Sequence, residues 1–202
     1  MKKIITYVLT KLFWGFARHF LSDKWYSKIR YRLELDKWPD LANPETFTEK
    51  IQWIKLNERN ELRWLAANRL AVRDYVSDKI GEEHLVPLLG SFHELSQSTW
   101  HDLPKQFVLK ANHGCEMVEV VRNKNETSFE QIRRKTKQWM QTNYYKFSRE
   151  WAYKDLPRII LAEKLLLDKD GNIPKDYKFF CFNGRVKIIQ VDYDRFGDQK
   201  RN

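Results

Sequence analysis

A chain of 202 residues with 42% hydrophobic and 14% aromatic residues is long and apolar enough to bury a core, which excludes a disordered chain. Lys and Arg number 37 against 27 Asp and Glu, a net charge of +10; residues 1–37 alone hold nine basic and three acidic residues, or +6. That crowding at one end, with no recognised nucleic-acid module, speaks against nucleic acid as a partner. Cys115 and Cys181, far apart and without CxxC or zinc-type spacing, point to a reducing compartment.

Ile4 to Ala17 is apolar but interrupted by Lys11, lacks a small-residue cleavage site, and is shorter than the about 20 residues that span a bilayer. Its spacing predicts an amphipathic helix with Ile4, Ile5, Val8, Leu12 and Phe16 on one stripe and Lys2, Lys3, Lys11 and Arg18 outside it. Such a helix either lies on an anionic membrane, with Phe13 and Trp14 at the interface, or packs on the protein with a solvated basic face. Pro44 breaks the helical region, and Thr46 with Glu49 forms a capping box for a helix carrying Phe47, Ile51, Trp53 and Ile54. Leu62 to Lys79 reads as one more helix ending before Gly81, Leu85 to Leu89 as a short buried strand, and Ser91 to Lys105 as mostly loop.

Phe107 to Arg122 reads as strand, tight loop and returning strand: Phe107-Val108-Leu109 ends in Lys110, Asn112-His113-Gly114-Cys115-Glu116 turns, and Met117 to Val121 returns. A lysine closing a strand beside exposed backbone amides suits a phosphate, though an ordinary hairpin needs no ligand. His113, Cys115 and Glu116 make a weak metal or Cys–His signal, because no second cluster supports them and a neighbouring carboxylate disfavours thiolate formation. Thr127 and Glu130 form a second capping box for a helix through Phe129, Ile132, Trp139 and Met140, followed by the aromatic segment Tyr144 to Phe147. Arg158 to Glu163 is an apolar strand ending in a carboxylate, and Asp168 to Asn172 is a turn. Tyr177 to Phe182 and Arg185 to Asp192 form a hairpin about Asn183-Gly184. Alternation puts Lys178 on the face of Phe180 and Phe182, where it either meets an anionic partner or snorkels from a sheet edge.

Four blocks carry a resemblance: Phe47 to Asn60 (FTEKIQWIKLNERN), the lysine-led Asn112-His113-Gly114 loop, Asn143 to Leu166 (NYYKFSREWAYKDLPRIILAEKLL) and Asp176 to Arg195 (DYKFFCFNGRVKIIQVDYDR). Over residues 40 to 202 the chain resembles the TupA-like ATP-grasp family, linked to teichuronopeptide and cell-surface polysaccharide synthesis. The resemblance implies an α+β, ATP-grasp-like fold of antiparallel sheets with flanking helices, and ligation of an amine to a carboxylate activated by ATP with magnesium. It implies nucleotide contacts from Lys110, Asn112, His113, Gly114, Glu163, Lys164, Leu166 and Lys178, and substrate contacts from Arg149, Glu150, Tyr153 and Arg195.

Three departures from the family pattern stand out. Cys115, Glu116 and Met117 follow Gly114 where the family has Ser-Gly-Gly, so two glycines are missing and a carboxylate is added; Asn68-Arg69 replaces an Asp-Lys pair. The chain also stops at Asn202, before the segment in which the family carries its magnesium ligands, leaving Asp176, Asp192 and Asp194 as weak metal candidates. The expected organisation is a basic helical segment (1–40), a helical and short-strand part (41–106), a lid-type subdomain (107–160), and a hinge opening a second subdomain (161–202) truncated at its C-terminus. The expected place is cytoplasmic, peripheral on the inner membrane through residues 1–37. Two other functions are a non-catalytic member binding a partner at the membrane, and a glycosyltransferase using Asp192-Tyr193-Asp194 as a DxD pair.

Overall fold

In the computed structural model, residues 11, 13–16, 19–193 and 200–201 are described. The chain divides into two compact units, Met1–Glu163 and Lys164–Asn202. The first contains helices α1 (Asp23–Leu35), α2 (Phe47–Asn57), α3 (Glu61–Ala67) and α4 (Ala71–Ile80), then strand β1 (Leu88–Phe92), α5 (Gln97–Asp102), β2 (Phe107–Ala111), β3 (Val118–Val121), α6 (Phe129–Gln141) and α7 (Tyr145–Ser148). Strand β4 (Ile160–Lys164) completes a four-stranded sheet in the order β1-β4-β2-β3, with β1 antiparallel to β4 and β2 antiparallel to β3. The second unit is a sheet in the order β5-β6-β7, from β5 (Asp176–Phe182), β6 (Arg185–Tyr193) and β7 (Lys200–Arg201). This is the α+β arrangement of antiparallel sheets and flanking helices that the sequence leads one to expect.

Period-2 alternation in β2 sends Phe107, Leu109 and Ala111, each 0% exposed, into the core and turns Val108 and Lys110 to the opposite face. Helix α6 covers the core with Ile132 and Trp139, seven residues apart, while Arg134, Lys135 and Lys137 stay outside. Trp100 meets Phe107 edge-on at 5.5 Å between ring centres and closes the cluster with Leu95 and Leu103. Each fully buried Leu or Phe contributes about 1.5–3 kcal/mol, so this core fixes β2 and hence the position of Lys110.

Several local expectations are corrected. The single helix over 62–79 is two helices, α3 and α4, because the Asn68 side chain accepts from the amides of Leu70 and Ala71 and caps a new start. The short strand lies at Leu88–Phe92 rather than 85–89, and Leu88 and Leu89 are exposed rather than buried. Ser128, not Thr127, caps α6, since its hydroxyl accepts from Gln131 N while Thr127 Oγ1 donates to Asn123 O. The Thr46–Glu49 capping box forms as expected. Most of the N-terminal stripe, Ile4, Ile5, Val8 and Leu12, lies outside the described residues. Phe13 is buried with its ring 5.1 Å from that of Tyr26 on α1, whereas Phe16 is exposed.

Candidate functional site

The loop between β2 and β3 is built by side chains turned inward. Asn112, fully buried, accepts from Leu70 N at 3.1 Å and donates to Pro157 O at 3.1 Å, so it joins the start of α4 to the segment before β4. Its own amide donates to Ile159 O. His113 donates from Nε2 to Trp139 O at the end of α6 at 2.8 Å, and burial lowers its pKa, so the ring is the neutral Nε2–H form. These two polar side chains therefore hold the loop in place from within. Gly114 lets the loop pack closely: a Cβ there would meet Met117 Sδ at 3.0 Å and Tyr144 Cβ at 3.3 Å, and those side chains would have to give by a few tenths of an ångström. Glu116 occupies the left-handed region at φ 61°, a conformation that a glycine would take freely, and its side chain is exposed.

On the outer face of the sheet, Lys110 and Glu163 meet. The Lys110 ammonium lies 2.6 Å from Glu163 Oε2, and Arg73 from α4 reaches Oε1 at 3.4 Å while donating to Val86 O at 2.6 Å. The Glu163 side chain is 9% exposed and that of Lys110 31%. Two cations share one carboxylate, so the cluster carries one net positive charge. Lys110 spends one of its three N–H donors on Glu163 and keeps two for an incoming anion. Arg69, in the break between α3 and α4, donates from Nη1 to Ala111 O and Gly114 O, both at 2.6 Å, and ties the loop to that break. Sequence reasoning passed over Arg73 and saw Arg69 only as a departure. No local pattern marks either of them, because the apolar spacing runs on through the break between α3 and α4.

Of the expected substrate residues, Arg149 is tied to α1: Nη1 lies 3.1 Å from Asp23 Oδ1, the guanidinium stacks 4.7 Å over the Tyr26 ring, and Tyr145 OH donates to the same Asp23 carboxylate. It therefore anchors α7 to α1. Glu150 and Tyr153 instead line a cavity between α1, α2, α3 and the 148–153 segment. Tyr153 OH also lies 3.2 Å from Cys115 Sγ, which links that cavity to the loop.

In the second unit, Lys164 ends β4 and Leu166 follows it, both exposed. Lys178 finds the anionic partner its position calls for: it pairs with Asp192 across the hairpin and with Asp176 at 3.0 Å on its own strand, and the bond to Asp192 leads in raising its pKa. Asp192 also accepts from Gln190 Nε2 at 2.7 Å. Both carboxylates are thus committed to a lysine. No group of three or more His, Cys, Asp or Glu among the described residues is placed to hold a metal ion. Asp194 and Arg195 lie outside the described residues.

A family model described as TupA-like ATPgrasp matches residues 49–202. No curated protein matches the chain. No solved structure matches it either.

Proposed function

The chain belongs to the TupA-like ATP-grasp family, and from that membership we propose that it binds ATP and serves carboxylate–amine ligation in bacterial surface-polysaccharide synthesis. In such a ligation a carboxylate oxygen attacks the γ-phosphorus and ADP leaves with the bridging oxygen. The amine then attacks the acyl carbon, inorganic phosphate departs, and the amine nitrogen gives up a proton. The observation that supports this reading is the Lys110–Glu163–Arg73 cluster on the outer face of the sheet, with its net positive charge and two spare ammonium donors. A phosphate oxygen set against Lys110 gains charge-assisted hydrogen bonds of about 1.5–3 kcal/mol. Magnesium is part of the family chemistry, and when bound it would neutralise charge on the phosphates. Titration calorimetry with ATP and, separately, UDP-glucose tests the proposal. Binding of ATP alone supports the ligase reading, and binding of UDP-glucose alone would replace it with a glycosyltransferase.

A second reading, a non-catalytic family member that binds a partner, is favoured by Glu116, which brings a carboxylate to the loop where the family pattern has glycine. Binding of neither nucleotide would support it.

The proposal extends to a place on the inner face of the membrane. No helix among the described residues is long and apolar enough to cross a bilayer. Residues 1–37 carry +6, and Phe16, Phe20 and Trp25 are exposed beside Lys24, a composition suited to an anionic lipid interface. Co-sedimentation with phosphatidylserine vesicles should weaken as salt rises and be lost when Phe20 and Trp25 are both changed to Glu. Binding unaffected by salt and by both changes would contradict the assignment.

A further inference from the structure

A cavity of about 810 Å³ opens between α1, α2, α3 and the 148–153 segment, and its charged wall is unevenly satisfied. Arg30 is paired with Glu34 at 2.7 Å, and Arg63 with Glu58 at 2.7 Å. Lys55 and Glu150 are different. Lys55 makes one hydrogen bond, from Nζ to Ser148 O at 3.3 Å, and burial pushes its pKa down to about 8. Among the described residues the Glu150 carboxylate takes no hydrogen bond or ion pair, and burial raises its pKa. Each feels the other's charge, and Glu150 that of Arg30 as well, yet Lys55 and Glu150 form no salt bridge, so a desolvated ammonium and a desolvated carboxylate line the same space.

Buried charges are nearly always paired, so a desolvated ammonium with a single carbonyl partner and a desolvated carboxylate without one, both lining one cavity, mark a place for a polar ligand. Two fixed opposite charges that do not touch are complementary to a molecule carrying both signs, and a lone anion or a lone cation would leave one of them uncompensated. Ile51, Ile54 and Trp151 give the remaining wall an apolar character suited to a side chain.

We propose that this cavity binds the head group of an α-amino acid, its carboxylate on Lys55 and its ammonium on Glu150. The inference deepens the ligase reading and rests on it for the ligand's role as the amine that is joined. Tyr153, which lines the cavity, also touches Cys115 of the β2–β3 loop that follows Lys110. With the ammonium held by Glu150, that carboxylate is also placed to take the proton that the amine must lose before attack.

The test uses the full chain and an equimolar mixture of the twenty L-amino acids in saturation-transfer difference NMR. At least one member should show transfer, and its N-acetyl and carboxamide derivatives should each bind at least tenfold more weakly. Lys55→Met and Glu150→Gln should each lower affinity at least tenfold, with a circular dichroism melt confirming a folded chain; Lys55→Arg, which keeps the charge, should retain most of it. Lys110→Ala should leave amino-acid binding unchanged, so failure of ATP binding and failure of this site are separate results. No transfer from any amino acid, or equal binding of the N-acetyl and carboxamide derivatives, would overturn the proposal.

Discussion

Glu116→Gly should make the protein more stable, although it removes a side chain. At φ 61° an L-residue carries roughly 1–2 kcal/mol of left-handed strain, which glycine does not. Against this, glycine costs about 0.5–1 kcal/mol through its extra freedom in the unfolded chain. The difference leaves a gain of about 0.5–1 kcal/mol, or roughly 1–4 °C in melting temperature for a protein of this size. Glu116→Ala is the control, because it removes the same charge but keeps the Cβ that causes the strain. A second readout separates charge from strain: a carboxylate about 4 Å from a phosphate charge costs about 1 kcal/mol in water, and Glu116 is exposed, so both variants should raise ATP affinity by about fivefold. Urea unfolding followed by tryptophan fluorescence gives the stability. If Glu116→Gly is no more stable than Glu116→Ala, the strain at this loop position is not what the backbone geometry indicates.

Two further outcomes follow from the first unit. The amide and hydroxyl of Thr46 and the amide of Asp40 hold the Glu49 carboxyl at a pKa of about 2, below its ordinary 4.5. Because the folded value is the lower one, this contribution is complete above pH 4.5 and is lost as pH falls toward 2; Glu49→Gln should flatten the acid limb of the stability curve in that window. Arg69→Met leaves Ala111 O and Gly114 O without their shared donor and should cost about 1–3 kcal/mol in urea unfolding, whereas an unchanged midpoint would show that Arg69 does not secure the loop.

What the sequence made legible was local. The Thr46–Glu49 capping box needs only residues three apart, and the β5–β6 hairpin follows from Asn183-Gly184, whose φ values of 49° and 72° are those a two-residue hairpin turn demands. The partner of Lys178 was not accessible from the turn alone, because a bulge between Phe180 and Cys181 shifts the register by one residue and so lays Asp192 across from Asp176. The break between α3 and α4 was not legible: Leu65, Leu70, Val72 and Val76 keep a near-helical spacing through it. It is held in part by Asn112, 42 residues away, which accepts from Leu70 N. Bonds of the same long-range kind brace the loop, where the Asn112 and His113 side chains donate to Pro157 O and Trp139 O, partners that no local pattern announces. Lys55 and Glu150 escaped pairing for a like reason, since no pattern in the chain brings α2 beside residues 148–153.

The most direct test is displacement of a fluorescent ATP analogue by ATP, comparing the full chain with Lys110→Ala and Arg73→Met. The Lys110–Glu163–Arg73 cluster holds the nucleotide phosphates in this account, so ATP should displace the probe from the parent chain and lose at least tenfold in affinity with either substitution. Equal ATP affinity in all three folded proteins would show that the phosphates bind elsewhere and that the cluster only braces the sheet.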